Sequence, residues 1–248
     1  MIKGELIWIT GASSGIGRAI AIMLAQQGNT IFASARDEKV LSDLAASQAN
    51  IIPVVFDISC ASQIEAVREQ IQQHTPYLDR VILNAGNCEY FDIEHPDWDI
   101  MRRVMAVNYL GAINTLASAL PLLQARPDGK GHIVGVVSLA TLVPFARAEA
   151  YGASKAALQY FYDSLRLDLV VQGIDVTVVN PGFIKTPLTD RNNFPMPFLQ
   201  PVDKSAQRII RAIEQRRRQF DFPRRLKYLL KFLGFFPAVW NKFISPWL

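Results

Sequence analysis

Tyr151 and Lys155 stand four residues apart in the run Tyr151-Gly152-Ala153-Ser154-Lys155, and on a helix that spacing puts a phenol and an ammonium on one face. Helix-favouring residues continue through Ala156, Ala157 and Leu158, so the pair is expected near the start of one helix. An isolated tyrosine titrates at about 10 and is a poor base at neutral pH, but a fixed positive charge beside it favours the phenolate and lowers that value. A tyrosine tuned in this way gives or takes a proton during turnover. Ser138 lies thirteen residues upstream, where the apolar run His132 to Val137 ends. In a parallel sheet that is the end at which ligands sit.

These side chains need a frame, and the first third of the chain supplies it. Glu5 to Thr10 reads as a buried strand and Ile16 to Gln27 as a helix stopped by Gly28. Between them runs Thr10-Gly11-Ala12-Ser13-Ser14-Gly15-Ile16-Gly17. Its glycines fall where the backbone must turn, approach a pyrophosphate and let the helix pack on the strand, with the helix N-terminus facing the phosphates. Three residues separate the first two glycines and one the last two, so the spacing departs from G-x-G-x-x-G. Thr30 to Ala35 makes a second strand that ends at Arg36, where an acidic residue would bind a ribose 2′-hydroxyl and an arginine a 2′-phosphate. Arg36 therefore favours NADP(H); NAD(H) is the alternative if a one-residue shift brings Asp37 to the ribose.

The alternation continues. Ile51 to Phe56 is a third strand ending at Asp57, Ala61 to Gln73 a helix with Ile64, Val67 and Ile71 on one stripe, and Val81 to Leu83 a fourth strand. It leads into Asn84-Ala85-Gly86, whose small residues allow backbone close to a ligand. A long helix follows from Pro96 to about Gln124, with Asn108 in its middle facing water or serving a local polar purpose. Asp175 to Val179 is a sixth strand stopped by Pro181-Gly182, Asp203 to Gln215 a helix, and Phe220 to Phe222 a short edge strand. The pattern predicts an α/β fold with a doubly wound, mostly parallel sheet between two helical layers.

Composition narrows the class. At 248 residues and 50% hydrophobic content the chain builds one full core. A net charge of +4, with basic residues crowded near the C-terminus, does not fit a nucleic-acid groove. Cys60 and Cys88 read as packing residues in a reduced, cytoplasmic setting, since the N-terminus lacks a signal pattern and no metal spacing is present. No uninterrupted apolar stretch reaches the roughly 18 residues of a membrane span.

Taken together, Thr10-Gly11-x-x-x-Gly15-x-Gly17, Asn84-Ala85-Gly86, Asn108, Ser138, Tyr151-x-x-x-Lys155 and Pro181-Gly182 resemble, in order and spacing, the short-chain dehydrogenase/reductase family up to about Phe222. The resemblance implies a single Rossmann-fold oxidoreductase domain over 1–222. It implies Tyr151 as catalytic acid/base, Ser138 as hydrogen-bond donor to the substrate oxygen, Lys155 as holder of the nicotinamide ribose, and Asn108 as the holder of a relay water. Gly11, Ser13, Ser14, Gly15, Ile16 and Gly17 would line the pyrophosphate, with Ser13 and Arg36 on the 2′-phosphate. Asp57 and Ile58 would contact adenine; Asn84 to Gly86, Pro181, Gly182, Ile184 and Thr186 would flank the nicotinamide half. Family members often carry a basic residue where this chain has Ser14, which leaves the NADP(H) preference resting on Arg36. The helices at 97–124 and 151–171 are the family's oligomer helices, so a homodimer or homotetramer is expected.

Residues 183–200 form the expected substrate lid. Phe183, Leu188, Phe194, Met196 and Phe198, with Leu142, Val143 and Phe145 after Ser138, suit a hydrophobic carbonyl or alcohol. The remainder, 223–248, is a basic and aromatic helical tail. Leu226, Leu229, Leu230 and Leu233 share a stripe apart from Arg224, Lys227 and Lys231, and Phe235, Phe236, Trp240, Phe243 and Trp247 follow. Two readings fit it: an arm packed on the chain's own lid or a partner subunit, or an interfacial membrane helix. The expected activity is NADP(H)-dependent carbonyl reduction or its reverse, against NAD-linked alcohol oxidation and a non-catalytic dinucleotide-binding protein.

Overall fold

The computed structural model describes residues 1–240. Phe243 and Trp247 of the expected tail lie outside the described residues. Across them seven strands form one all-parallel sheet: β1 (Leu6–Thr10), β2 (Thr30–Ala35), β3 (Ile51–Val55), β4 (Arg80–Leu83), β5 (His132–Val136), β6 (Asp175–Pro181) and β7 (Gln219–Phe222). Their order is β3-β2-β1-β4-β5-β6-β7, so the winding reverses between β1 and β4. Ligands bind at that reversal, beyond the strand C-termini. The central strands are apolar on both faces because helices cover both.

On one face α1 (Gly15–Gln26) and α7 (Val202–Glu214) pack together, with Ile20, Leu24, Ile209 and Ile213 against Ile7, Ile9 and Val134; α2 (Glu38–Ser47) adds Leu41 and Leu44. The other face is covered by α3 (Ile64–Gln72), α5 (Gly111–Gln124) and α6 (Glu149–Leu169), whose Val67, Leu116 and Tyr162 close over Trp8, Phe32, Val81 and Val178. A third apolar cluster lies beyond the sheet: Leu139 and Val143 meet Leu226 and Leu230 of α8 (Arg224–Gly234), and Trp240 after α9 (Pro237–Val239). Trp240 is 1% exposed, and its Nε1 donates to the Pro144 carbonyl at 2.6 Å.

The long middle helix departs from its expected outline. It begins at α4 (Asp99–Met105), three residues later than Pro96, with the Asp97 carboxylate accepting the Asp99 amide just ahead of it. Ala106–Leu110 form a π turn before α5. The run Asp99–Gln124 is, among the described residues, the one helix long and apolar enough to cross a membrane, and it packs against α3 and α6. β6 continues past Val179 through Pro181, since Asn180 and Pro181 pair with Asp221 and Phe222 of β7; Gly182 ends it by donating its amide to the Phe222 carbonyl at 2.7 Å.

Candidate active site

Ser138, Tyr151 and Lys155 come together where β5 ends and α6 begins. The Ser138 amide donates to Asn180 Oδ1 at 3.3 Å, and its Oγ accepts from the Ala140 amide at 3.1 Å. Tyr151 lies in the first turn of α6 with Lys155 one turn on; Lys155 Nζ donates to the Val136 carbonyl at 3.1 Å and sits 5.8 Å from the Tyr151 ring centre. Lys155 is 4% exposed. Dehydration of the ammonium lowers its pKa to about 8, with the nearby Cys88 opposing.

Tyr151 departs from expectation. Burial raises its pKa to about 12, against a hydrogen bond with Ser138 that favours the phenolate. The sequence predicts the opposite sign, from Lys155. In the fold Lys155 is buried and committed to a backbone carbonyl while Tyr151 is half-buried at the cavity edge, and desolvation of the phenol outweighs its hydrogen bond.

Asn108 sits on the π turn with no exposed surface. Its Oδ1 accepts the Asn87 amide at 2.8 Å, and its Nδ2 donates to the Asn87 carbonyl and to Ser154 Oγ, both at 2.9 Å. The extra residue of the π turn thus aims one amide at both the post-β4 loop and α6. Of the two sequence alternatives, the polar purpose is the one realised. Gly86 lies between these groups: a Cβ there would fall 3.1 Å from Asn108 Oδ1 and 3.4 Å from Lys155 Nζ.

The glycine loop is stitched to the post-β4 loop. Thr10 Oγ1 accepts the amides of Asn84 (3.2 Å) and Ala85 (3.3 Å), and Asn84 Nδ2 donates to the Thr10 carbonyl at 3.1 Å. Gly11 has φ of +68°, and a Cβ there would lie 2.8 Å from Ala85 Cα; only glycine satisfies both. Ser13 is half-buried and Ser14 exposed. Ser14 precedes α1 with no side-chain cap and no acidic residue in the first turn, leaving positive helix-end amides toward the loop. Ile16 packs on the core and Gly17 is buried beneath the loop. Across the cleft a Cβ on Gly15 would be 3.2 Å from Thr186 Cγ2.

At the outer end, exposed Arg36 and half-buried Asp57 border a shallow depression with Val55 and Gln63. Burial pushes the Asp57 carboxyl up, but hydrogen bonds from Ser59 and the Arg36 charge outweigh it and lower its pKa. Asp37 caps α2 by accepting the Val40 amide at 3.1 Å. At two expected cofactor positions the side chain is buried. Ile58 is 8% exposed and packs in the core, its carbonyl accepting from Asn114 Nδ2, and it does not border the depression. Ile184 is 3% exposed within the α1 and α7 layer. Pro181 is buried in the β6 and β7 pairing.

Ser138 and Tyr151 open onto an apolar cavity of about 720 Å³, mouth included, walled by Leu139, Phe145, Phe183, Leu188, Leu226 and Leu230. Leu142 does not line it. That side chain packs behind the wall, in the cluster that holds Trp240. Cys88, read from sequence as packing, is instead a cavity residue, with its thiol raised to about 11 by burial. Tyr90 and Asn192, which no motif marks, also line the cavity: Tyr90 donates its hydroxyl to Asn192 Oδ1 at 2.7 Å and meets Phe194 edge-on at 5.8 Å, tying the post-β4 loop to residues 183–200. The one sequence signal for them is their place beyond a strand C-terminus. Leu226 and Leu230 put one side of the tail's apolar stripe against the chain's own cavity, while Leu229 stays 40% exposed.

Comparison with known proteins agrees with this architecture. An uncharacterized oxidoreductase of Myxococcus xanthus is 36% identical over 220 residues, spanning 87% of this chain and 86% of that protein. The Pseudomonas aeruginosa RhlG/NADP active-site complex superposes with a TM-score of 0.72 at 27% identity, over 76% of each chain. A Burkholderia phymatum short chain dehydrogenase/reductase in complex with NAD has the same fold, with a TM-score of 0.83 at 23% identity, covering 93% of this chain and 94% of that one. The short chain dehydrogenase family profile matches residues 5–195. The chain therefore belongs to the short-chain dehydrogenase/reductase family and is an oxidoreductase of that type.

Proposed function

We propose that this enzyme interconverts a hydrophobic carbonyl compound and its alcohol with NADP(H). The observation that carries this reading is the placement of Tyr151 and Ser138 at one end of an apolar cavity, with Lys155 buried behind them.

The residues present fit a dinucleotide. The close approach of Gly11 to Ala85 and of Gly15 to Thr186, and the uncapped start of α1, make a narrow cradle lined by backbone. Gly11 to Gly17, Arg36, Asp57, Asn84 to Gly86, Lys155 and Thr186 would hold the cofactor. When bound, its nicotinamide supplies or accepts the hydride. RhlG is described with NADP and the Burkholderia protein with NAD. For this chain Arg36 supports NADP(H), because Asp37 is committed to the α2 cap and leaves the guanidinium as the charge at the end of β2. Were Arg36 only a surface charge, NAD-linked alcohol oxidation would be the reading.

Tyr151, with its pKa at about 12, keeps its proton across the neutral range, the form required to give a proton to a carbonyl oxygen. Ser138 Oγ is placed beside that phenol to share the negative charge growing on the oxygen. Lys155 holds a cation behind the phenol, and Asn108 fixes the turn that spaces α6 from the post-β4 loop. The cavity walls exclude water from the oxygen and recognise apolar substituents. Exposed Leu110 on the π turn before α5, and Tyr160 and Leu167 on α6, suit coverage by a second copy, as a homodimer or homotetramer.

The test is Tyr151→Phe. NADPH binding, followed by fluorescence, is expected to persist while turnover of hydrophobic ketones falls by about 10²- to 10⁴-fold. Near-normal turnover in that variant would sink the proposal.

A further inference from the structure

Besides its buried stripe, α8 and the residues that follow it through α9 carry exposed apolar side chains. Tyr228, Leu229, Phe232, Phe235, Phe236 and Val239 are all exposed, Phe232 by 62% and Phe235 by 80%. Phe232 and Phe236 meet edge-to-face at 5.3 Å, which joins the exposed side chains of α8 to those that follow it. Exposed apolar residues are ordinarily scattered singly, and a contiguous patch marks a contact surface. Its rim is basic. Arg224, Arg225 and Lys231 are exposed and form no ion pair among the described residues, and 224–240 contain no Asp or Glu.

Aromatic side chains that enter the acyl boundary, flanked by cations that stay with the headgroups, complement an anionic bilayer. A second copy of the chain fits less well, because a two-fold contact on this patch would set like charges against each other. We propose that α8 and α9 dock the enzyme on an anionic lipid surface. The same helix walls the cavity with Leu226 and Leu230, so docking brings the cavity wall to the bilayer and lets an apolar substrate pass between lipid and cavity along α8. The passage rests on the hydrophobic-substrate reading; the docking does not.

Co-sedimentation of the full chain with extruded vesicles tests it, using phosphatidylcholine alone and phosphatidylcholine mixed with phosphatidylglycerol. Binding to the anionic vesicles is expected to exceed binding to neutral ones by about tenfold and to weaken as salt is raised. Phe232→Glu/Phe235→Glu is expected to lower binding by about tenfold or more while turnover of a water-soluble ketone is kept. Arg224→Gln/Arg225→Gln should remove the preference for anionic vesicles, which keeps the test sharp if the glutamate variant misfolds by circular dichroism. Absent binding by the wild type, unchanged binding by both variants, or a wild-type assembly in sedimentation velocity that the glutamate variant dissolves would each overturn the proposal. Vesicle binding with no ketone turnover would count against the carbonyl reading and leave the docking intact.

Discussion

Gly135 of β5 lies directly beneath the ring of Tyr162 in α6; a Cβ on Gly135 would fall 2.6 Å from the ring carbon Cδ2, inside van der Waals contact. β5 leads to Ser138 and α6 carries Tyr151 and Lys155, so this single contact sets how closely the helix approaches the strand that faces it. Gly135→Ala should lift α6, lower stability by about 1–3 kcal/mol as an overpacked core does, and reduce kcat more than it raises KM. Urea unfolding and steady-state kinetics measure both. A variant with wild-type kcat would show that the Gly135 contact does not position the site.

Lys155 is held against its own stability. Its pKa is lowered to about 8 in the fold, so between about pH 8 and the unfolded value of about 10.4 the unfolded chain binds the extra proton and stability rises with pH. At neutral pH the full desolvation cost is present. Lys155→Met should therefore stabilise the protein by about 1–3 kcal/mol near pH 7, with the gain shrinking toward about pH 10, while turnover collapses. Denaturant titrations at the two pH values would reveal it; a destabilised variant at pH 7 would show that the hydrogen bond to Val136 outweighs desolvation.

Asp221 joins the tail helix to Ser138. Its carboxylate pairs with Lys227 at 2.7 Å and accepts from Asn180 Nδ2 at 2.9 Å, and the same Asn180 receives the Ser138 amide. Burial raises the Asp221 pKa, but hydrogen bonds from Lys227, Asn180 and Gln219 outweigh it and hold the carboxyl below the ordinary carboxylate value. A depressed carboxyl stabilises the fold above its unfolded value of about 4, and that contribution disappears as pH falls through the lower folded value. Asp221→Asn should cost about 1–3 kcal/mol at neutral pH and raise KM for hydrophobic substrates. Its stability loss relative to wild type should fade in acid, and a constant difference from pH 7 down would refute the assignment.

Arg36 is the only basic side chain bordering the depression near the ends of β2 and β3 among the described residues. Arg36→Ala should weaken NADPH binding by about tenfold to a hundredfold, the worth of a charge-assisted phosphate contact, and leave NADH binding unchanged. Fluorescence titration with both cofactors decides it. Equal losses for the two would place Arg36 away from the 2′-phosphate.

The strands and helices and the approach of the glycine loop, Asn84 to Gly86, Ser138 and Tyr151 to a shared sheet edge were legible in the linear chain. They depend on local hydrophobic period, on turn residues and on the rule that parallel strands present their C-termini to one side. The membership of Leu226 and Leu230 in the cavity wall, the retreat of Leu142 behind it, and the presence of Cys88, Tyr90 and Asn192 at the site were not. These follow from contacts between residues up to about a hundred positions apart, such as Tyr90 with Asn192, which no local pattern encodes. The direction of the Tyr151 pKa belongs with them: sequence places a lysine one turn away, but the sign depends on how much water the packed β5, α6 and residues 183–200 exclude, and burial is a property of the assembled fold alone.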